Sequence, residues 1–170
     1  EYKKLSAFEF SSLLLSIAVK NKENLPVLNA GRGNPNWINT SARKAFLRIS
    51  QFAIDESEKT IKASQLAGYI NSKGIYDRFI SFLDMNREED IFLKRAIDYC
   101  IVELNQDKDE LIAEFTNGAM GNNYPVPSRI LLNTEQICLN YLIKNLFSDS
   151  IALKNTKLFA TEGATAAMCY

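Results

Sequence analysis

The segment Lys157-Leu-Phe-Ala-Thr-Glu-Gly-Ala-Thr165 decides the fold class that this sequence predicts. Its first five residues are mostly apolar and short in extent, which is typical of a buried strand. The small residues Gly163, Ala164 and Thr165 then allow a tight turn into a helix. A strand that passes directly into a helix indicates an α/β fold, which is incomplete here because only one strand and the first turns of its helix fall within 170 residues.

The rest of the chain is predicted to be mostly α-helical. Ser6 and Glu9 form a capping box in front of a helix over residues 7–19. A second helix begins near Asn39 and runs to about Glu56. Residues 57–118 are predicted to form a block of small helices, since short apolar repeats alternate with glycines and capping residues. Within this block, helices are predicted over residues 75–83, around 93–104, where Leu93, Ile97, Cys100 and Leu104 recur at helical spacing, and from Asp107 through Phe115. Asp107 and Glu110 form the capping box of the last of these, and Gly118 is its predicted end. One more helix is predicted over 128–147.

Composition excludes several classes of protein. Twenty basic residues balance twenty acidic ones, so no basic surface for nucleic acid is expected. No apolar run is long enough to span a bilayer and no leader peptide is recognisable, so we expect a cytoplasmic protein. The three cysteines lack metal-binding spacing and histidine is absent, so we expect no metal site and no histidine-based catalysis.

The loop Asn29-Ala-Gly-Arg-Gly-Asn-Pro-Asn-Trp37 is a candidate binding site. Two glycines allow close approach of the backbone to another group, and the guanidinium of Arg32 between them suits a carboxylate or phosphate. A dinucleotide-binding fingerprint is excluded, because Asn36 stands where a third glycine is required. Taken alone, the loop is better explained as a plain Gly-Pro turn with Arg32 in a structural ion pair.

Two further segments are ambiguous when each is read by itself. The segment Tyr124-Pro-Val-Pro127 could line a site or could anchor a surface loop. The turn at Gly163 presents backbone N–H groups at the start of a helix, an arrangement that can hold a phosphate. Small residues at such a turn more often only allow a helix and a strand to pack closely.

In their order along the chain, these three segments resemble the first part of fold type I pyridoxal-phosphate enzymes, the aspartate aminotransferase superfamily. The resemblance implies pyridoxal 5'-phosphate as cofactor and a homodimer or larger homo-oligomer with shared active sites. It implies that Arg32 and Gly33 contact the substrate, with Arg32 meeting its side-chain carboxylate. The residues that would contact the cofactor phosphate are Tyr124, from the neighbouring subunit, and Gly163, Ala164 and Thr165.

The resemblance also implies a domain organisation and a reaction. Residues 1–150 would be a small-domain segment with a helical insertion at about 57–118, and residues 151–170 would begin the large cofactor-binding domain. The insertion favours a branch of the superfamily that converts L-aspartate to L-alanine and carbon dioxide, with transamination as a side activity.

The catalytic lysine of that superfamily has no counterpart at a matching position in this chain. We therefore expect an N-terminal part of a longer enzyme, with no catalytic residue of its own and no activity alone. Two alternatives stay open at this stage, namely an ordinary aminotransferase and a helical interaction module that binds no cofactor.

Overall fold

The computed structural model describes residues 4–20, 38–63, 68–122, 130–147 and 155–169. Contacts divide the chain into two compact units, residues 1–38 and residues 39–170. The domain boundary near residue 151 stays a prediction. No helix within the described ranges is both long and apolar enough to cross a bilayer.

The described part of the first unit is dominated by helix α1 (Ala7–Lys20). The predicted capping box is confirmed, because the Ser6 amide donates to Glu9 Oε2 at 2.8 Å and the Glu9 amide donates to Ser6 Oγ at 3.3 Å. No residue of α1 is buried, so its apolar side chains remain largely exposed.

The second unit is built around four helices, α2 (Thr40–Lys62), α3 (Ile75–Phe82), α4 (Glu88–Glu103) and α5 (Lys108–Met120). Helix α2 packs against α4 and α5, and α3 packs against α5. The rings of Phe52 and Phe79 meet edge to face with their centroids 5.1 Å apart. The buried apolar cluster consists of Ala45, Phe52, Ile75, Phe79, Leu93, Ile97, Cys100, Leu111, Ile112 and Ala113.

A buried ion pair joins α2 to α4. Arg48 Nε and Nη2 donate to the two carboxylate oxygens of Asp90 at 2.8 and 2.9 Å, and the Asp84 amide donates to Asp90 Oδ2 at 2.8 Å. Burial would raise the pKa of Asp90, but the hydrogen bonds from Arg48 and Asp84 outweigh it and hold that pKa below its ordinary value. The carboxylate is therefore charged and fully paired in the interior.

Helix α2 continues six residues beyond the predicted end at Glu56. The Glu56 carboxylate is buried and accepts hydrogen bonds from Arg78 Nε at 2.8 Å and Lys59 Nζ at 2.6 Å. Ser57 Oγ, also buried, donates to the Gly68 carbonyl at 2.9 Å. These polar residues reach the interior because distant partners satisfy them, which the local pattern does not reveal.

Two acidic side chains of α5 cap other helices. Asp109 accepts from the Gly74 and Tyr76 amides, both at 2.9 Å, at the start of α3. Glu114 accepts from the amides of Asn133 and Thr134, both at 2.9 Å, at the start of α6 (Leu132–Leu142). Each carboxylate satisfies amides that would otherwise lack partners, so α5 orients both helices.

Helix α5 ends at Gly121 rather than at the predicted Gly118. Gly121 adopts φ 70°, and the Asn122 amide donates to the Asn117 carbonyl at 2.9 Å. This pairing closes a helix with glycine in the left-handed conformation. Gly118 lies within α5, so the prediction placed the end of the helix at the wrong one of two nearby glycines.

The α-helix predicted over 128–147 is shorter than predicted and is followed by a π-helical turn. In the described part of this range, α6 covers Leu132–Leu142 and a π-helical turn follows at Ile143–Phe147. Residues 128 and 129 lie outside the described residues.

The strand predicted over residues 157–161 is not found, and the described residues contain helices without any strand. The described residues therefore show the predicted mostly helical character but not the predicted α/β class. A strand requires a neighbour that pairs its amides and carbonyls. The Leu158 amide instead donates to the Glu135 carboxylate at 2.9 Å. The helix start expected after it is present as α7 (Ala164–Ala167).

Candidate functional site

The sequence-predicted site residues fall into two groups. Arg32, Gly33 and Tyr124 lie outside the described residues. Gly163, Ala164 and Thr165 are described, consecutive and exposed at the start of α7. The turn they form is the part of the candidate site that lies within the described residues.

Hydrogen bonds around the carbonyl of Gly163 fix the turn. Gly163 is the N-cap of α7, and its carbonyl accepts the Ala167 amide at 3.0 Å. The same carbonyl accepts the Thr161 hydroxyl at 3.0 Å. The Met168 amide donates to the Ala164 carbonyl at 3.1 Å, which completes the short helix.

Glycine is not required at position 163 by the conformation of this chain. Its backbone is extended, at φ 160° and ψ 175°, which any residue adopts. A Cβ atom added there would meet no described atom within 4 Å. The open space allows another group to approach the backbone closely. Close approach of a bound group, rather than backbone conformation, therefore explains a glycine at position 163.

The turn exposes hydrogen-bond donors. The amides of Ala164, Thr165 and Ala166 belong to the first turn of α7, where helical partners are absent. Within the described parts of the chain, these amides donate no hydrogen bond. The Thr165 side chain is also exposed and adds a hydroxyl. Neutral donors that converge at a helix start suit an anion such as a phosphate.

Sequence reasoning missed Glu135, which contacts the segment that leads to the turn. Glu135 is 8% exposed, and its Oε1 accepts the Leu158 amide. The sequence did contain a signal for this residue. Glu135 follows Leu131 by four residues and precedes Leu142 by seven, so helical spacing places it on the face of the helix that is expected to be apolar. A carboxylate on such a face requires a partner.

An open cleft of about 760 Å³ lies elsewhere in the second unit, between α5, the start of α6 and the loop before α3. Lys73, Glu110 and Asn117 are among its lining residues, but Asp109 and Glu114 on its wall are engaged as helix caps. None of the three described site residues lines this cleft. In the described ranges, no group of three or more His, Cys, Asp or Glu could hold a metal ion.

The chain is similar in sequence to a protein whose activities are named. The chain is 37% identical over 170 residues to a Pseudomonas sp. protein named bifunctional aspartate aminotransferase and L-aspartate beta-decarboxylase. The matched region covers 98% of this chain and 32% of the relative, so the chain spans about a third of the relative's length. No protein-family model matches the chain.

The similarity is not confined to the three motifs, since it extends over nearly every residue of the chain. It therefore includes the helical block at 57–118 and the exposed turn at the start of α7. The resemblance read from the sequence is confirmed, and this chain is a relative of one portion of a bifunctional aspartate aminotransferase and L-aspartate beta-decarboxylase.

Proposed function

We propose that this chain is the N-terminal portion of a pyridoxal-phosphate enzyme that converts L-aspartate to L-alanine and carbon dioxide, with aspartate transamination as a side activity. The observation that carries this proposal is the 37% identity, over almost the whole chain, to a relative named for both activities. The lysine that binds the cofactor would lie outside these 170 residues. The chain alone would be inactive.

The exposed turn would hold the phosphate of the cofactor. Three amides without a described acceptor, a threonine hydroxyl and an open approach to Gly163 form a donor set that fits a phosphate. When bound, pyridoxal phosphate supplies an electron sink for the carbanions formed at the amino acid. The role of Gly163, Ala164 and Thr165 is to bind and orient it.

The remaining predicted residues would complete the site from outside the described ranges. Arg32 would pair with the side-chain carboxylate of L-aspartate and Gly33 would lie against the substrate, because a guanidinium offers two parallel donors to a carboxylate. Tyr124 would donate its hydroxyl to the cofactor phosphate of a neighbouring subunit. This arrangement requires a homodimer or larger homo-oligomer, which we propose to be cytoplasmic.

The function is tested with the complete protein that contains this chain. L-Aspartate labelled at the β-carboxylate should release labelled carbon dioxide in the presence of pyridoxal phosphate, with alanine formed in equal amount. Transfer of the amino group to added 2-oxoglutarate, with oxaloacetate formed and no alanine, would favour an ordinary aminotransferase. No binding of the cofactor would favour the helical interaction module.

The role of the turn is tested at Ala164, the first residue of α7. Proline is tolerated at this position of a helix but lacks the N–H group. Ala164→Pro should weaken binding of pyridoxal phosphate about tenfold, the cost of one hydrogen bond to a charged group. Ala164→Gly keeps the amide and is the matched control. Equal affinity in both variants would exclude this amide as a phosphate ligand.

A further inference from the structure

The side chain of Glu135 is buried although it is ionisable. It projects from α6 and is 8% exposed. Its Oε1 accepts the backbone amide of Leu158 at 2.9 Å, across 23 positions of sequence. Placing a carboxylate in the interior is costly unless it is hydrogen-bonded, so this contact fixes the segment 155–161 against α6.

Helix α6 is in turn fixed to the helical core at its N-terminal end. Glu114 of α5 accepts four hydrogen bonds from Asn133 and Thr134, at 2.9 to 3.1 Å. Gln106, buried before α5, donates from Nε2 to the Asn133 carbonyl at 3.0 Å and to Gln136 Oε1 at 2.9 Å. Helix α6, which carries Glu135, is therefore itself held in place by α5 and by Gln106.

The segment from Leu158 to Gly163 is short. Five residues of extended chain span about 17 Å at most, so fixing Leu158 limits where the turn can lie. The Thr161 hydroxyl, bonded to the Gly163 carbonyl, restricts this segment further. The position of the α7 amides consequently depends on the contact between Glu135 and Leu158.

We propose that Glu135 is a positioning residue for the cofactor site. By holding the Leu158 amide, it places the Gly163–Thr165 turn where its N–H groups meet the phosphate. This inference rests on the proposed function, since it assumes that the turn binds pyridoxal phosphate. Glu135 itself touches neither cofactor nor substrate and acts through the backbone of residues 158–163.

The test uses the complete protein that contains this chain, prepared without cofactor and titrated with pyridoxal phosphate. Glu135→Ala should raise the dissociation constant roughly tenfold, the factor that corresponds to one lost charge-assisted hydrogen bond. Glu135→Gln keeps an oxygen acceptor for the Leu158 amide and should restore the affinity to within about threefold of wild type.

Asp109→Ala is the matched control, because it also removes an α5 carboxylate that accepts two backbone amides, but those amides belong to the start of α3 rather than to α6 or residues 155–169. It should lower the melting temperature of the cofactor-free protein while it leaves the dissociation constant within about twofold of wild type. An unchanged affinity in Glu135→Ala, or an equal loss in Asp109→Ala, would overturn the positioning role. If wild type bound no pyridoxal phosphate, the proposed function itself would fail, and this inference with it.

Discussion

The helical core of α2–α5 and the C-terminal segment 155–169 are stabilised in different ways. In the core, Phe52 and Ile75 are 1% and 0% exposed, and buried charges such as Asp90 have partners on other helices. In residues 155–169 no residue is buried, and Met168 is 82% exposed. The core therefore stabilises itself, whereas the segment that carries the candidate site depends on contacts such as that from Glu135 to Leu158.

The largest effect is expected from Phe52→Ala. Phe52 packs edge to face on Phe79 in the centre of the core, and its truncation should reduce the free energy of unfolding by about 4 kcal/mol. Urea denaturation measures the change. Phe92→Ala on α4 is the control, since Phe92 is 47% exposed and should cost less than about 1 kcal/mol. Similar losses in both variants would contradict a core centred on Phe52.

The next largest effect is expected from Asp90→Asn. This change leaves Arg48 without its charged partner in the interior and should cost about 3 kcal/mol of unfolding free energy. The same substitution at Asp77, whose side chain is 75% exposed, should have little effect. A loss at Asp90 no larger than that at Asp77 would show that the pair contributes nothing to the stability of the core.

The same carboxylate makes stability depend on acid pH. The pKa of Asp90 is lower in the folded chain than in the unfolded chain, where it has its ordinary value. The folded state consequently binds fewer protons near that value. Stability should be retained above about pH 4 and should fall as the pH is lowered further. Thermal denaturation between pH 3 and 7 tests this, and Asp90→Asn should show a flatter profile.

The smallest effect is expected in the C-terminal segment. Thr161→Val removes the hydroxyl that donates to the Gly163 carbonyl, outside any buried cluster. It should change the free energy of unfolding by less than about 0.5 kcal/mol. Thr165→Val, at an exposed position, is the control. A loss above about 1 kcal/mol for Thr161→Val alone would show that this segment contributes to global stability.

Features that depend on neighbouring residues were predicted well. The capping box of Ser6 and Glu9 joins side chains three residues apart, and Asp107 likewise accepts the Glu110 amide at 2.9 Å. The helical spacing of Leu93, Ile97 and Cys100 identified a buried face of α4. In each case the partners lie within one or two helical turns, so periodicity and capping rules apply.

Features that depend on distant partners were missed. The prediction ended α2 at about Glu56, whereas the helix continues and the buried carboxylate of Glu56 is paired with Arg78, 22 residues away. The predicted strand at 157–161 was wrong for the described residues, because strand formation depends on a neighbour that the segment cannot supply. The partner of the Leu158 amide proved to be a side chain of α6.

The sequence by itself determined the helical character, the local caps, the buried face of α4 and the resemblance to a pyridoxal-phosphate enzyme. Only the tertiary structure decided that Arg48 pairs with Asp90, that Glu114 caps α6 and that Glu135 holds the segment before the candidate phosphate turn. The physical reason is the separation along the sequence between the residues that interact. Helical hydrogen bonds and caps join residues a few positions apart, whereas a buried polar group takes its partner from whichever element packing brings beside it.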